Sequence, residues 1–406
     1  MATVGGPTRD RLRIGFFIPW ITKGRGGTEN VGHMMANSMH ERGHSVVVFT
    51  FDDKVGASLW PLAEGIPIIH LREKDDETAH LEMVDVVAKQ GLDLMVGLHL
   101  NRAFLRYVRC AFDLNLPLVL SEHCDPALPQ SLGTFGRDER IIIMSGATLI
   151  HMISDEFRAT LPKGLQDRIR VVPNTIREPD PGAPQPPPQA GRTIVTVSRL
   201  VPPKNTQRLI EVFAGLASEF PEWRLRIVGD GPEMGKLRRL ARKCRVKDRV
   251  DFVGALKDPY PEYLAANIFA TASLFEGFGL TLCEASAHGL PSVAYGACRG
   301  LRSQIRHGEN GFLSSGGEEL GSLADDLRTL MADQELREKM GRRAREMFVS
   351  RFSNEIVHAG WEDLFFEAVE RGPNRAAPRP EHVRQVRLWD MIQRPLPIQD
   401  SARGGH

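Results

Sequence analysis

The chain alternates short apolar runs rich in Val and Ile with longer amphipathic stretches, and this alternation restricts the fold more than any other feature. A parallel sheet that is covered by helices on both faces needs such continuously apolar strands. Regular strand–helix alternation therefore predicts a doubly wound α/β architecture. The predicted strands are residues 13–19, 44–51, 66–71, 93–100, 117–123 and 147–154 in the first half, and 193–200, 223–229, 249–256, 268–274 and 291–295 in the second.

A proline-rich segment separates the two halves. Seven prolines fall within residues 173–188, a density that excludes a helix or a central strand and indicates a semi-rigid linker. Each flanking half has the length of an ordinary domain. The predicted regions are a first domain (1–173), a linker (174–192), a second domain (193–352), a C-terminal helix (353–371) and an irregular tail rich in Pro and Arg (372–406).

The composition excludes several classes of protein. Lys and Arg number 52 against 51 Asp and Glu, so the net charge of +1 gives no electrostatic reason for a nucleic-acid partner. The five cysteines show no Cys-x-x-Cys spacing, which argues against a zinc site or a disulfide framework. No apolar run approaches the roughly 18 residues of a membrane span. We expect a soluble, cytoplasmic protein that binds no nucleic acid.

Ligands of open α/β sheets bind outside the carboxyl ends of the strands, so two such domains predict a site in the cleft between them. In the first domain, the loop after the first predicted strand contains Gly26 and Gly27. Glycines there let backbone N–H groups approach an anion at the N-terminus of the next helix. A tight turn with Thr28 as the N-cap explains the same residues, and the pattern does not decide between the two.

In the second domain, Arg199 and Lys204 bracket the turn after the first predicted strand. Two cations at that position are suited to one anionic group such as a diphosphate, although two solvated surface charges would look the same. The next predicted strand ends at Gly229 and Gly231, which fit a tight turn and a wall of a base-binding site equally well.

The most informative pattern is an apolar strand, a glycine loop and a helix at residues 268–288. Backbone N–H groups near Gly279 and Leu280 would form an anion site at the start of that helix. Glu284, about one turn into the helix, could accept hydrogen bonds from both hydroxyls of a ribose. Glu276 lies before the glycines, eight residues earlier, where it could contact a sugar or the phosphate-bound end of a ligand.

This Glu-x7-Glu arrangement resembles the donor-binding domain of the family 4 retaining glycosyltransferases. The resemblance continues through Ser198-Arg199-Leu200, Lys204, Val228-Gly-Asp-Gly-Pro-Glu233, Val253-Gly254, Ala287-His288-Gly289-Leu290-Pro291 and Gly308-Glu-Asn-Gly311-Phe312. The first half is similar to the family through Gly26-Gly27-Thr28-Glu29 and Ser121-Glu122-His123. The resemblance implies the GT-B fold, in which two doubly wound Rossmann-like domains face each other across a cleft and C-terminal helices return toward the N-terminal domain.

The resemblance also implies roles for individual residues. Arg199 and Lys204 would bind the nucleotide diphosphate, Glu284 the ribose hydroxyls, and Glu276 the donor sugar. His123 matches the family's histidine beside the reacting sugar, which places it with Glu276, Arg199 and Lys204 among the implied catalytic residues. The backbone groups implied in phosphate or base contacts are those of Gly26, Gly27, Gly279, Leu280, Val253 and Gly254. One departure is Gln304, which stands near the position where the family often has Glu.

The implied activity is transfer of a hexosyl group, with retention, from a nucleotide diphosphate sugar to a hydroxyl of a saccharide or lipid-linked saccharide. UDP is the favoured nucleotide and GDP the next, and cell-surface polysaccharide or glycolipid biosynthesis is the implied context. Arg199, Lys204 and a helix N-terminus supply positive charge for the leaving diphosphate. With no Asp-x-Asp motif in the chain, we expect neither a metal ion nor another cofactor.

A lipid-linked acceptor would bring the protein into peripheral contact with the inner face of a membrane. The cations Arg102, Arg106 and Arg109 alternate with apolar residues in a pattern that fits a membrane-facing helix or an ordinary covering helix. Two alternative functions use the same fold. One is a nucleotide-sugar epimerase, and the other is a non-catalytic protein that binds a sugar nucleotide. A nicotinamide dehydrogenase is disfavoured because the glycine fingerprint is missing.

Overall fold

The computed structural model describes residues 11–21, 26–52, 60–74, 76–98, 103–131, 136–180, 192–315 and 321–375. These residues form two compact units. Unit 1 contains the chain up to Met152, Phe157–Val172 and the chain from His358 onward. Unit 2 contains Ile153–Glu156 and Pro173–Val357.

The first part of the chain builds a parallel sheet of seven strands in the order β3-β2-β1-β4-β5-β6-β7. The strands are β1 (Arg13–Phe17), β2 (Ser45–Thr50), β3 (Ile68–His70), β4 (Leu94–Leu98), β5 (Leu118–Glu122), β6 (Leu149–Met152) and β7 (Ile169–Val171). The helices are α1 (Gly27–Glu41), α2 (Glu77–Ala88), α3 (Ala103–Asp113), α4 (Ala127–Ser131), α5 (Arg137–Ser145) and α6 (Asp155–Arg158), with a 3-10 helix at Lys163–Arg168. Every residue of β4, β5 and β6 is buried, as strands covered on both faces require.

Unit 2 contains a parallel sheet of six strands in the order β10-β9-β8-β11-β12-β13. The strands are β8 (Arg192–Val197), β9 (Trp223–Val228), β10 (Val250–Gly254), β11 (Ile268–Thr271), β12 (Ser292–Tyr295) and β13 (Gly311–Ser314). The adjacent β8 residues Ile194 and Val195 belong to two different apolar clusters, which shows that this sheet is buried on both faces.

A 3-10 helix at Pro202–Lys204 follows the first strand of this sheet, and eight α-helices follow in chain order. They are α7 (Thr206–Leu216), α8 (Met234–Lys243), α9 (Tyr260–Leu264), α10 (Leu280–Ala287), α11 (Arg299–Arg302), α12 (Gly321–Ala332), α13 (Gln334–Arg351) and α14 (Asn354–Arg371).

The last helix runs from unit 2 into unit 1 and packs there on the first sheet. Phe365 of α14 meets Phe16 of β1 edge to face, with ring centroids 5.8 Å apart. Glu362 pairs with Arg42 at 2.6 Å and with the ring of His44 at 2.9 Å. These contacts confirm that the C-terminal helix returns to the N-terminal domain.

Both sheets contain the doubly wound strand order 3-2-1-4-5-6, to which the first sheet adds β7, and the predicted fold class is confirmed. All eleven predicted runs contain a strand, but the sequence analysis missed β7 and β13. Both are short edge strands. Arg170 interrupts the apolar run of β7, and β13 begins at Gly311 directly after a turn. Linker residues 181–191 and tail residues 376–406 lie outside the described residues. Among the helices that the structure describes, none is long and apolar enough to cross a membrane.

Candidate functional site

The carboxyl ends of β8 and β11, which are neighbours in the second sheet, bring two predicted site residues together. Lys204 ends the 3-10 helix after β8, and its Nζ lies 2.6 Å from Oε1 of Glu276 in the loop after β11. The two side chains are only 18% and 14% exposed. The backbone reinforces this pairing, because Leu274 N–H donates to the Pro203 carbonyl at 2.8 Å. Two segments 72 residues apart in sequence are thus joined at one edge of the sheet.

Arg199 lies at the same end of β8, but its environment differs from that of Lys204. Its side chain is exposed, and among the described residues it has no ion-pair partner. The turn that carries it is closely packed. A side chain at Gly229 would collide with the Ser198 carbonyl, and one at Gly231 with the Leu200 carbonyl. The two glycines therefore let the ends of β8 and β9 pack backbone against backbone.

The N-terminus of α10 also lies at this edge of the sheet. Gly279 is its N-cap and adopts φ +79°, and a side chain there would collide with Leu301. Bonds to the Gly279 carbonyl begin at Leu282 N–H, so the helix itself does not use the N–H groups of Leu280 and Thr281. The glycine thus presents the positive end of the helix without a side chain in front of it.

Gln304 forms a hydrogen bond with the loop that precedes α10. Its buried Nε2 donates to the Phe278 carbonyl, so the amide group acts as a hydrogen-bond donor at this position. A carboxylate has no hydrogen to donate to that carbonyl. The presence of Gln, where the resembled family often has Glu, is therefore consistent with the local contacts of this chain.

Glu284 lies one turn into α10 and is held by an aromatic partner. The Tyr263 hydroxyl donates to Oε2 of Glu284 at 2.6 Å. Burial raises the pKa of Glu284 to about 7, and the bond from Tyr263 only partly offsets this effect. The carboxyl group therefore changes its charge near neutral pH.

Sequence reasoning missed the two tyrosines near Glu284 and the contacts that His288 makes with them. His288 stacks on Tyr263 with ring centroids 5.3 Å apart, and Tyr260 meets the His288 ring edge to face. Arg177 lies over the face of Tyr260 at 4.1 Å. The sequence signals are the two tyrosines of Tyr260-Pro-Glu-Tyr263, in the helix before β11, and His288 in Ala287-His288-Gly289-Leu290-Pro291.

Val253 and Gly254 end β10 at the same edge. Gly229 N–H donates to the Gly254 carbonyl at 2.8 Å, which ties the ends of β9 and β10 together. Gly254 has φ +85°, and no described atom lies within 4 Å of the place that a Cβ would take. There is thus open space beside the backbone where a nucleobase is predicted.

In unit 1, the loop at Gly26 and Gly27 forms the start of α1. The N-cap is Gly26, so the alternative in which Thr28 caps the helix is wrong. Gly26 N–H donates to Oε2 of Glu29 at 3.0 Å, and Glu29 is buried. This helix N-terminus therefore already has a carboxylate of its own chain in front of it.

His123 directly follows β5 and is buried, and its Nε2 lies 2.6 Å from the Ser121 hydroxyl. The intervening residue, Glu122, forms a buried bidentate pair with Arg140 at 2.5 and 2.7 Å. This pair anchors the end of β5 to α5 and holds the strand end that carries His123.

The cations of α3 contact the protein itself. Arg106 is buried, lies 4.3 Å above the Phe51 ring and donates to the Glu73 carbonyl. Arg109 pairs with Glu77 at 3.0 Å. Arg102 lies outside the described residues. These two arginines thus fit the covering-helix alternative.

Two doubly wound sheets, with a lysine, a helix N-terminus and a carboxyl group at the strand ends of the second, define an open α/β protein, a class whose ligands bind at the carboxyl ends of the strands. Comparison with known proteins narrows this class. Residues 25–178 match the model of glycosyltransferase family 4, and residues 183–347 match that of glycosyl transferases group 1. The two matched ranges together span most of the chain, so both of its halves are similar to glycosyltransferase domains.

Individual proteins that the chain resembles are as follows. The chain is 28% identical to an exopolysaccharide phosphotransferase of Streptomyces coelicolor over 92% of its own length, but it spans only 43% of that relative. It is 27% identical to an uncharacterized glycosyltransferase of Haemophilus influenzae over 74% of this chain and 85% of the relative. Anabaena HepE, solved with UDP and glucose, shares the fold with a TM-score of 0.70 at 20% identity, covering 87% of this chain and 99% of that one.

Proposed function

We propose that this protein transfers a hexosyl group, with retention, from a nucleotide diphosphate sugar to a hydroxyl of a saccharide or lipid-linked saccharide. UDP is the favoured nucleotide, followed by GDP, and the setting is cell-surface polysaccharide or glycolipid biosynthesis. The observation that carries this proposal is the joint placement of Lys204, the α10 N-terminus and Glu284 at the carboxyl ends of the second sheet.

These groups match the parts of the donor. In this proposal, Arg199, Lys204 and the N–H groups near Leu280 hold the diphosphate, with the Gly26–Gly27 backbone as a further phosphate contact. Glu284 accepts hydrogen bonds from the ribose hydroxyls. The base lies in the open space beside Val253 and Gly254, where the backbone can recognise it.

In the transfer step, the bond between the anomeric carbon and the phosphate oxygen breaks and a bond to the acceptor oxygen forms. The leaving phosphate accepts the acceptor's proton. Negative charge grows on the diphosphate, and fixed positive groups stabilise it most strongly at that moment. Glu276 and His123 are proposed to lie beside the donor sugar, where they stabilise positive charge at the anomeric carbon.

The proposal requires that Lys204 be shared. In this structure Glu276 already balances its charge, so an incoming diphosphate competes with a carboxylate 2.6 Å away. The relatives support the choice of donor, because HepE was solved with UDP and glucose. The name of the Streptomyces relative describes phosphate transfer, but the chain spans less than half of that protein.

A thermal-shift panel tests the donor site. UDP, GDP, ADP and NAD are added to the wild type, to Glu284→Ala and to a control variant, Glu219→Ala, which removes an exposed carboxylate of unit 2 paired with Arg328. A ligand that binds only the native state raises its stability by mass action. We expect UDP to stabilise the wild type and the control but not Glu284→Ala. Stabilisation by NAD alone, or by none of the four, would overturn the proposal.

Product analysis separates the alternatives. The wild type is incubated with a UDP-sugar, with and without saccharide acceptors, and the anomeric configuration of the product is determined. We expect acceptor-dependent release of UDP and a retained configuration. An epimerised nucleotide sugar without acceptor would favour the epimerase, and tight UDP binding without any turnover would favour the non-catalytic binding protein.

A further inference from the structure

Three buried polar side chains connect the ends of β5 and β6 in unit 1. Ser121 and His123 are two residues apart and therefore lie on the same side of the strand. Ser121 is paired in register with His151 of β6. The Ser121 hydroxyl lies 2.6 Å from Nε2 of His123 and 2.7 Å from Nδ1 of His151. Nε2 of His151 lies 2.8 Å from the Val172 carbonyl. We call this chain of hydrogen bonds, from His123 through Ser121 and His151 to Val172, the relay.

The direction of every bond in this relay follows from its far end. A carbonyl oxygen only accepts, so Nε2 of His151 carries a hydrogen and donates it to Val172. Complete burial lowers the pKa of His151 to about 4, so the ring is neutral at physiological pH and its Nδ1 carries a lone pair. Nδ1 therefore accepts from the Ser121 hydroxyl.

Ser121 has one hydrogen, and the bond to His151 uses it. Its oxygen can then only accept from His123, which requires a hydrogen on Nε2 of His123. When neutral, the His123 ring accordingly carries its lone pair on Nδ1. The edge-to-face contact between the two rings, with centroids 5.5 Å apart, further restricts their orientation.

We propose that Ser121 and His151 are positioning residues that hold His123 in one ring orientation and in the Nε2–H tautomer. This inference deepens the proposed function and rests on it for the role of His123 in transfer. A histidine that approaches a reacting sugar acts only in a narrow range of orientations. The relay selects that orientation before any substrate binds, with Val172 as its fixed end.

The tautomer is measured on the full chain, without substrate, by long-range ¹H–¹⁵N spectra of protein labelled at its histidines. His123 is assigned by loss of its signals in His123→Gln. In the wild type, we expect His123 and His151 both as Nε2–H tautomers. In Ser121→Ala, the His123 signals should move toward a mixture of tautomers, and in Ser121→Thr, which keeps the hydroxyl, they should stay in place.

Ser38→Ala is the matched control, since Ser38 is an equally buried serine of unit 1 whose hydroxyl donates to the Met35 carbonyl. The control should leave the His123 signals unchanged. If Ser121→Ala does not fold, His151→Gln replaces it, because Gln keeps a donor for the Val172 carbonyl but lacks Nδ1. A wild-type His123 in the Nδ1–H form, or one unaffected by both variants, would overturn the relay.

Kinetics connect the relay to the reaction. We expect Ser121→Ala to lower kcat about tenfold with little change in KM for the donor, and Ser121→Thr to restore most of it. Unchanged kcat in Ser121→Ala would overturn the positioning role.

The experiments distinguish a failure of the relay from a failure of the proposed function. If His123 has the expected tautomer but the wild type transfers no sugar, the proposed function is wrong. If transfer occurs with the other tautomer, the relay is wrong.

Discussion

The two sheets share a strand order, but their carboxyl ends carry different chemistry. In unit 2, Lys204 and Glu276 form a charged pair and the N-terminus of α10 begins at a bare glycine. In unit 1, the end of β5 carries the relay of Ser121, His123 and His151, and the N-terminus of α1 is covered by Glu29. The same strand order thus carries an ion pair and an uncovered helix N-terminus in unit 2, and a hydrogen-bonded relay with a covered helix N-terminus in unit 1. The sheet fixes where a ligand binds, and the loops fix its chemistry.

The largest effect on activity should come from the charged edge of unit 2, which is the strand end that carries Lys204 and Glu276. Lys204→Ala removes the cation and leaves Glu276 without its partner, so the diphosphate meets an uncompensated carboxylate. We expect kcat/KM to fall by about 10²–10³-fold. Steady-state transfer from a UDP-sugar measures this fall.

Lys236→Ala is the control for that variant, because Lys236 is an exposed lysine of unit 2 that pairs with Glu233 at 3.0 Å. Its kinetics should equal those of the wild type. Wild-type kcat/KM in Lys204→Ala would show that the charged edge does not bind the donor. The chemical difference between the two sheets would then have no role in donor binding.

A smaller effect should come from Glu284, with opposite signs for stability and binding. Burial raises its folded-state pKa to about 7, above the ordinary value of 4.5 for a Glu side chain, so folding favours the protonated form. This stability is fully present below the unfolded pKa and is lost as pH rises through 7, a change of about 3 kcal/mol over that window. UDP affinity should instead rise from pH 6 to pH 8, because the carboxylate accepts the ribose hydrogens.

Glu284→Gln separates these two effects. Urea unfolding of Glu219→Gln, which keeps Glu284, should show the loss of stability between pH 5 and pH 8. Glu284→Gln stays neutral, so it should lack this loss, and its UDP affinity should not depend on pH. Isothermal titration of UDP at pH 6, 7 and 8 measures the binding part. Parallel pH profiles for wild type and Glu284→Gln would remove Glu284 from the donor site.

The sequence predicted the sheets better than the contacts at their edges. Continuous Val and Ile runs identify buried parallel strands, and strand ends identify where Lys204 and Glu276 lie. Their mutual ion pair was not predictable, because 72 residues separate them and the loop lengths do not define side-chain distances. The hydrogen bond between Tyr263 and Glu284 was not predictable for the same reason.

The relay shows this limit most clearly. Ser121-Glu122-His123 is visible in the sequence, but the pairing of Ser121 with His151 depends on the strand register. A register shift of one residue would turn His151 to the other face of the sheet. Sequence periodicity defines faces within one strand, whereas contacts between strands require the three-dimensional structure.

The smallest effect should come from the first helix of unit 1. Glu29→Ala removes the carboxylate that accepts from Gly26 N–H, which should lower the free energy of unfolding by about 1 kcal/mol. If Gly26 N–H also contacts the donor phosphate, the same change frees it, and UDP affinity should rise about twofold.

Glu139→Ala is a close control, since Glu139 is equally buried and accepts from Gly136 N–H at the start of α5. It should lose similar stability without any gain in affinity. Equal UDP affinity in both variants would confine the phosphate site to unit 2, and the contrast between the two edges would be complete.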